Sequence, residues 1–511
     1  EYFRGSTLDG SGPYEGGSWF DYWVEEAYNE GIPVVTSAGN SANDDVHTFN
    51  EIPSFSGQPG TFTIQFAINS TSTNVAELDF TNVWDSPNQK IGVNVTIPNP
   101  EGSGTITIPD EYYNSSLLWD GSLHNFYYPS LSQPITIQRY RNNINANEIN
   151  KSYMQISYSG GTLKPGLGTY TLLNFGNAQK VHTYIHSIYQ SGQWISGRPG
   201  SHWMDNINQN YTITSPGTAN HSITVGSFIS YDYVYWDTKL GGDISDFSSR
   251  GPRVDGRRAL DVAAPGEIIL AAASQDALGS NFGMGNYTAK QGTSMAAPFV
   301  SGLLALAMES NEYLKGKPEL VENLLINSTY EDAFTTKYGE GYNNVFGYGK
   351  VNASRMLLQS QGPQISDPTV TSDGYPYGIT ISTTITDLKA VDKAYLYYTN
   401  DSWINTYEIS MSNIGGDLYS ADISHQALDT TIEYYIAAND TFGIPSLNNN
   451  SGAGFNYLYT DLTPPQVSIL HPTMSSLFSP PELDINASIS DETSLSAVYV
   501  QINATTPFTL E

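Results

Sequence analysis

The chain has 511 residues, enough for three or four domains, of which 39% are hydrophobic and only 14% charged. Its 51 acidic and 21 basic side chains give a formal charge of −30, which argues against nucleic acid as a partner and suits a repelling, extracellular surface. With no cysteine, disulfides, a thiolate nucleophile and Cys-ligated metals are excluded, and no apolar run approaches the roughly 18 residues needed for a membrane-spanning helix. The 46 glycines and 36 tyrosines favour a β-rich, loop-rich architecture, and Asn-x-Ser/Thr sequons such as Asn69, Asn94, Asn210 and Asn286 nudge the localisation outward.

In chain order, Ser18 can cap a helix over Trp19 to Asn29 that Gly31 stops. Ile32-Pro33-Val34-Val35 reads as a short buried parallel strand, from whose carboxyl end the polar run Ser37-Ala38-Gly39-Asn40 emerges, the edge at which open α/β sheets bind ligands. Residues from about Val46 to Asn208 change character: Phe62 to Ile68, Gly92 to Ile97 and Gln155 to Tyr158 alternate apolar and polar between turns, the pattern of an all-β module. Within it, His182 and His186 have the spacing of a zinc pair. No Glu follows the first His and no third ligand is evident, so they read as structural histidines and no catalytic metal is expected.

Ser222 to Gly226 reads as a strand, and Ile268 to Ala271 as a buried one. A loop rich in Gly and Asn, Ser274 to Asn286, leads to Gln291-Gly292-Thr293-Ser294-Met295-Ala296-Ala297-Pro298, where glycine permits a sharp turn into a buried apolar helix through Leu303 to Ala307. The free amides and positive dipole end of that helix face Ser294. Glu319 to Asn327 makes a further helix, another lies near Leu358, and from Gln361 onward strands such as Gly378 to Ser382, Ala394 to Tyr398 and Ile432 to Ala437 suggest an immunoglobulin-like or fibronectin type III-like sandwich. Thr463-Pro464-Pro465 opens a second such module.

Gly292-Thr293-Ser294-Met295-Ala296-Ala297-Pro298 resembles the serine signature of the subtilisin-like proteases, the subtilases. Ser37 to Asn40, Phe247 to Pro252 and Asp261 to Gly266 follow the same family in the same order, and Phe346 to Ala353 resembles its closing motif. The resemblance implies an α/β core, a parallel sheet flanked by helices, formed by residues 1–45 and 209–360 and interrupted by the insertion at 46–208. That insertion resembles the jelly-roll insertions of some subtilases, with a protease-associated domain as the alternative; β-sandwich domains at 361–461 and 462–511 follow. It also implies a serine endopeptidase acting on proteins or peptides, secreted or at the cell surface through its C-terminal domains. Ser294 would be the nucleophile, and the Asn40 side chain and Ser294 amide the oxyanion hole. Ser11, Gly12, Ser37, Ala38 and Gly39 are candidates for substrate binding. The chemistry needs no cofactor; structural calcium is a family expectation, with Asn43-Asp44-Asp45 as possible oxygen donors.

The family order is Asp, His, oxyanion Asn, Ser, yet no His precedes His47 and no His-Gly-x-His run occurs. Asp9-Gly10-Ser11 leaves no room for a His-bearing helix before Asn40. The chain begins at Glu1 and stops within a β pattern, so we expect a piece of a longer protease, inactive alone. The alternative is a non-catalytic surface or adhesion protein on a degenerate protease scaffold.

Overall fold

The computed structural model describes residues 19–69, 75–84, 91–109, 120–144, 149–189, 194–195, 200–234, 238–272, 287–471, 485–491, 493–500 and 508–509. The chain divides into two compact units, residues 1–357 and 358–511.

The first unit begins with α1 (Trp19–Asn29) and the strand β1 (Val34–Ser37), which starts after Pro33 because proline has no N–H to give a ladder. Ser18, the expected cap, lies outside the described residues. Asp21 fixes α1: fully buried, it accepts hydrogen bonds from Ser215 Oγ at 2.7 Å and Thr218 Oγ1 at 3.1 Å.

Twelve strands follow before the sheet resumes: β2 (His47–Ile52), β3 (Gly60–Ile68), β4 (Val75–Trp84), β5 (Ile91–Pro98), β6 (Thr105–Ile108), β7 (Asp120–Phe126), β8 (Ile135–Ile144), β9 (Ile149–Tyr158), β10 (Gly166–Asn174), β11 (Gln179–Tyr189), β12 (Trp194–Ile195) and β13 (Ser201–Trp203). They form two antiparallel sheets, one ordered β13-β3-β10-β5-β6 and the other β12-β11-β4-β9-β8-β7 with β2 also on β11. One core joins them, built by alternation: Ile64, Phe66 and Ile68 from β3 meet Leu78, Phe80 and Trp84 from β4, with Tyr170 and Trp203. Asn82 is buried too, but its amide donates to Tyr170 Oη at 2.7 Å and Ser152 Oγ at 3.2 Å and its carbonyl accepts from Thr183 Oγ1 at 3.1 Å. A satisfied polar network of this kind fixes strand register.

The two ends of this β region lie side by side. Trp203 donates its backbone N–H to the Asp45 carbonyl at 2.9 Å and Nε1 to the Val46 carbonyl at 3.1 Å, while Asn208 N donates to the His47 carbonyl at 3.0 Å.

The chain then returns to the parallel sheet with β14 (Ser222–Ile229), passes the short hairpin of β15 (Tyr233–Val234) and β16 (Thr238–Lys239), and reaches β17 (Val262–Glu267). Sheet order is β1-β14-β17, with Val34 opposite Ser222 and Val225 opposite Val262. The segment at 349–351 lies along the far side of β17: Ala263 N donates to the Gly349 carbonyl and Val351 N to the Ala263 carbonyl. On the other side, β1 pairs with no strand but β14 among the described residues.

The run near Ile268 was expected to be a buried strand; it forms β18 (Ile269–Ala272), a hairpin with β19 (Tyr287–Lys290) in which Leu270 is 54% exposed. A short apolar run reads the same whether it lies in a core or on a surface hairpin, and here the antiparallel partner decides.

Helix α2 (Thr293–Ser310) crosses all three parallel strands with Thr293, Ala296, Val300, Leu303, Leu304 and Ala307 buried, the 3.6-residue repeat of one face. Its other face is apolar as well, yet Phe299 is 48% and Leu306 50% exposed. The sequence led us to expect a buried helix, and one side of it is buried.

Helices α3 (Pro318–Ser328), α4 (Ala333–Thr336) and α5 (Ala353–Gln359) complete the region. Lys350, 1% exposed, places Nζ 2.6 Å from Asp332 Oδ2 and 5.1–5.5 Å from the ring centroids of Phe334, Phe228 and Phe346. Asp332 also caps α4 through the amides of Phe334 and Thr335. Lys350→Ala leaves a cavity among three rings and a carboxylate without its counter-charge; water reaches that carboxylate, so the expected loss is about 2 kcal/mol, seen as a lower urea midpoint. Lys350→Met, which keeps the stem, should recover part of it.

In the second unit, one sheet holds Ile379–Thr386 and Leu418–Ile423 and the other Val391–Thr399 and Thr430–Asp440. Ile381, Leu396, Ile423, Ile432, Ile436 and Tyr459 are buried between them. The strand Gln466–His471 pairs with Asn486–Ser490, and its residues are exposed throughout.

Candidate active site

β1 carries the first half of the site off the carboxyl edge of the parallel sheet. Ala38 continues the ladder by donating to the Val225 carbonyl at 3.0 Å, and its own carbonyl accepts from Thr214 N at 3.0 Å. Gly39 turns the chain at φ +103, and a Cβ there would lie 2.6 Å from Thr214 Oγ1, so only glycine fits. Its carbonyl accepts from Ser249 N at 2.9 Å and its N–H donates to Thr293 Oγ1 at 3.1 Å. Asn40 then projects as an exposed residue.

α2 brings the second half. Gly292 has φ +144, a left-handed value, and supplies no side-chain cap to the helix. Asn40 supplies it from 253 residues away: its Oδ1 accepts from Thr293 N at 2.9 Å and Thr293 Oγ1 at 3.0 Å. Because a backbone N–H can only donate, the carboxamide orientation is fixed, oxygen toward Thr293 and amide nitrogen away from it. That nitrogen makes no hydrogen bond to the described residues, and a Cβ on Gly292 would stand 3.4 Å from it. Ser294, the next residue, is exposed at the first turn of the helix, where amides lack intrahelical acceptors. The arrangement presents a hydroxyl, a side-chain amide and a helix N-terminus on one side, a set able to stabilise negative charge on an oxygen bonded to Ser294.

Of the residues expected to bind substrate, Ser11 and Gly12 lie outside the described residues. Ala38 and Gly39 lie buried in the turn that carries Asn40. The Ala38 methyl is buried with Ile213, Ala259 and Leu260, and the backbone groups of both residues are already paired, so they form the mount of Asn40. Ser37 sits opposite Val225 at the end of the ladder, half-buried.

The sequence reading missed the braces. Ser249 takes the Ser41 amide on its hydroxyl at 3.0 Å while donating its own N–H to Gly39, and Ala42 N donates to the Phe247 carbonyl at 3.1 Å, so Phe247 to Ser249 holds the turn that carries Asn40. Thr293 was in view as part of the serine motif, but only its double link to Gly39 and Asn40 gives it a purpose.

No histidine hydrogen-bonds Ser294 among the described residues. His47 Nε2 and His182 Nδ1 face each other at 3.0 Å within the β region, and His221 Nδ1 lies 2.5 Å from Glu25 Oε2 while stacking on Tyr28. Among the described residues no three carboxylate or imidazole side chains gather as a metal would need, and the Asp45 carbonyl is already taken by Trp203 N. Nor is any described helix long and apolar enough to cross a membrane.

Residues 173–349 match the model of the Subtilase family, a span that includes Ser294 and excludes Asn40. The chain is 35% identical over 151 residues to serine protease AprX of Bacillus subtilis (strain 168), covering 29% of this chain and 32% of that protein. It is 34% identical over 126 residues to the uncharacterised protein aq_aa18 of Aquifex aeolicus, covering 24% of this chain and 56% of that one. It is 32% identical over 132 residues to pyrolysin of Pyrococcus furiosus, covering 22% of this chain and 9% of pyrolysin. The chain thus spans only part of the length of each of these relatives. A solved structure of the Clostridium perfringens CspB protease overlays with a TM-score of 0.48 at 20% identity, over 68% of this chain and 65% of that one.

Proposed function

Because residues 173–349 match the model of the Subtilase family, we propose that this chain is the Ser294-bearing part of a serine endopeptidase that cleaves peptide bonds in proteins. Ser294 Oγ attacks the scissile carbonyl, and the oxyanion that forms is held by the Asn40 amide and the Ser294 backbone N–H. The observation that carries this reading is the pinned carboxamide of Asn40, whose oxygen is spent on Thr293 so that its N–H donors are aimed without any rearrangement.

The general base is supplied from outside the described residues, and the 511-residue chain alone does not turn over. Two surfaces support this. Among the described residues, α2 carries exposed apolar side chains such as Phe299 and Leu306 on its outer face, and β1 leaves one edge of a parallel sheet unpaired where such sheets are ordinarily covered. An added strand and helix would close both and could bring a histidine to Ser294.

The β region at 46–208 is read as a jelly-roll-like insertion, and 361–461 and 462–511 as immunoglobulin-like or fibronectin-like modules that serve as spacers or surface attachments of an extracellular enzyme. Calcium remains a family-level proposal without a site assigned to it.

A fluorophosphonate probe on the full-length product is expected to label Ser294, with labelling lost in Ser294→Ala. Labelling that persists in Ser294→Ala, or its absence from the full-length wild type, would overturn the reading in favour of a non-catalytic scaffold.

A further inference from the structure

We propose that the buried imidazole pair His47–His182 is an acid-releasable joint at the root of the β region, and that protonating either ring frees the return segment Asn208–Tyr211. The proposal needs no proteolysis and stands or falls apart from the role of Ser294.

The two rings form a directed hydrogen-bond chain. His47 Nδ1 lies 3.0 Å from the Asn208 carbonyl, an acceptor only, so that nitrogen carries the proton and His47 Nε2 must accept. His182 Nδ1, 3.0 Å from it, therefore donates. Each ring is neutral in a single tautomer. A proton added to His47 Nε2 meets the His182 Nδ1–H head-on unless His182 shifts its own proton to Nε2, so the present bond cannot survive without rearrangement inside the core.

The surroundings offer that charge only the backbone of Asn208 and Asn210, which burial outweighs. His47 is 1% and His182 5% exposed. Phe49 stacks on His182 at 4.2 Å, Tyr184 on His47 at 4.6 Å, and Tyr211 meets His182 edge-on at 4.5 Å. Burial pushes His47 down to about 4 and, with the neighbouring ring, His182 down to about 2. The ionisable groups on the packed elements are Glu51 on β2, Lys180, Tyr184 and His186 on β11, Glu77 and Asp79 on β4, Lys151, Tyr153 and Tyr158 on β9, Tyr211 on the return segment, and Arg250 and Arg253 beyond it. No carboxylate of the described residues bears on either imidazole.

The joint holds a strained segment that has only a few local bonds of its own, Asn210 N to Asn208 Oδ1 at 2.9 Å and Thr212 Oγ1 to the Gln209 carbonyl at 3.0 Å. Tyr211 has φ +61, left-handed and unfavourable for a tyrosine. Its carbonyl accepts from Tyr184 Oη at 2.8 Å. Downstream, Thr212 N donates to the Arg250 carbonyl at 3.0 Å and Thr214 N to the Ala38 carbonyl at 3.0 Å, next to the turn that carries Asn40. Opening at Asn208–Tyr211 therefore loosens the mount of Asn40.

The sign follows from proton uptake. Above the ordinary value of 6.5 open and closed forms are both neutral; as pH falls from there toward 4, opened rings bind protons that closed ones refuse, so opening gains. Hydrogen exchange of peptides spanning 205–215, taken relative to peptides spanning 430–440 at the same pH, cancels the intrinsic pH dependence. Between pH 6 and 4 we expect the relative rate to rise at least tenfold in the wild-type chain. In His182→Asn, which removes one of the two rings and whose amide can turn its oxygen toward a protonated His47, the rise should shrink, and in His47→Phe/His182→Phe it should vanish. A wild-type ratio that stays flat, or a rise that persists in the double variant, would overturn the proposal; should the double variant fail to fold, a rise in His182→Asn as large as the wild type's overturns it instead.

Discussion

Under the proposed function, Asn40→Ala in the full-length product is expected to lower kcat by 10²–10³-fold with little change in KM, about 2.7–4 kcal/mol of transition-state stabilisation. It should also lower stability by about 1 kcal/mol, because the first amide of α2 loses the oxygen that caps it. The two effects separate in Asn40→Asp. A carboxylate still accepts from Thr293 N and Thr293 Oγ1, and its charge suits a helix N-terminus, so the fold should be as stable as the wild type. The N–H donors are gone, however, and a negative charge stands where the oxyanion forms, so kcat should fall at least as far as in Asn40→Ala. Thermal unfolding and steady-state kinetics on the same pair of variants measure both. Wild-type kcat in Asn40→Asp would remove the side chain from the mechanism.

Trp203→Ala should cost about 3–5 kcal/mol, the loss expected for truncating a large buried aromatic. Trp203 has no exposed surface, meets Phe66 and Phe80 at ring-centroid distances of 6.1 and 6.0 Å and Tyr170 at 5.6 Å, and donates Nε1 to the Val46 carbonyl. Trp203→Phe keeps much of the packing and loses only the N–H, so about 1 kcal/mol is expected from it. Urea unfolding of both variants gives the comparison. Similar losses would mean that the hydrogen bond to Val46, and not the ring's volume, holds the core at this point.

Parts of this structure were open to reading from residue order because local physics decides them. The helix at Trp19–Asn29 follows from its periodicity and from Gly31, which adopts φ +80 just past its end. The strand at Ser222–Ile229 is a run of apolar and small residues, buried along its whole length. Other parts depend on partners that sequence does not name. Leu303 and Leu306 look alike in a list of letters, yet one faces the parallel sheet and the other faces outward. Ile269 to Ala272 was misjudged for the same reason.

At the site, Ser294 and Asn40 could be picked out because their neighbours form a dense motif. Their connection through Thr293 could not, since it is a hydrogen bond across 253 residues. The bracing by Thr214 and Ser249 was hidden likewise, as was Asp21, an acidic residue in a helix's first turn that looks like an ordinary dipole partner until Ser215 and Thr218 arrive on it.

The hydrogen bond from Asn208 N to the His47 carbonyl, 3.0 Å long, makes the β region between them a cassette. A domain that leaves its host through two adjacent points asks the host only for a short gap, and the entropy of closing a loop grows slowly with the length of chain inserted there. The parallel sheet could therefore take up these residues, exchange them for another module, or do without them behind a tight turn, and β1 would still run alongside β14. Transplanting the segment into another host loop of the same span is then a question of matching two ends.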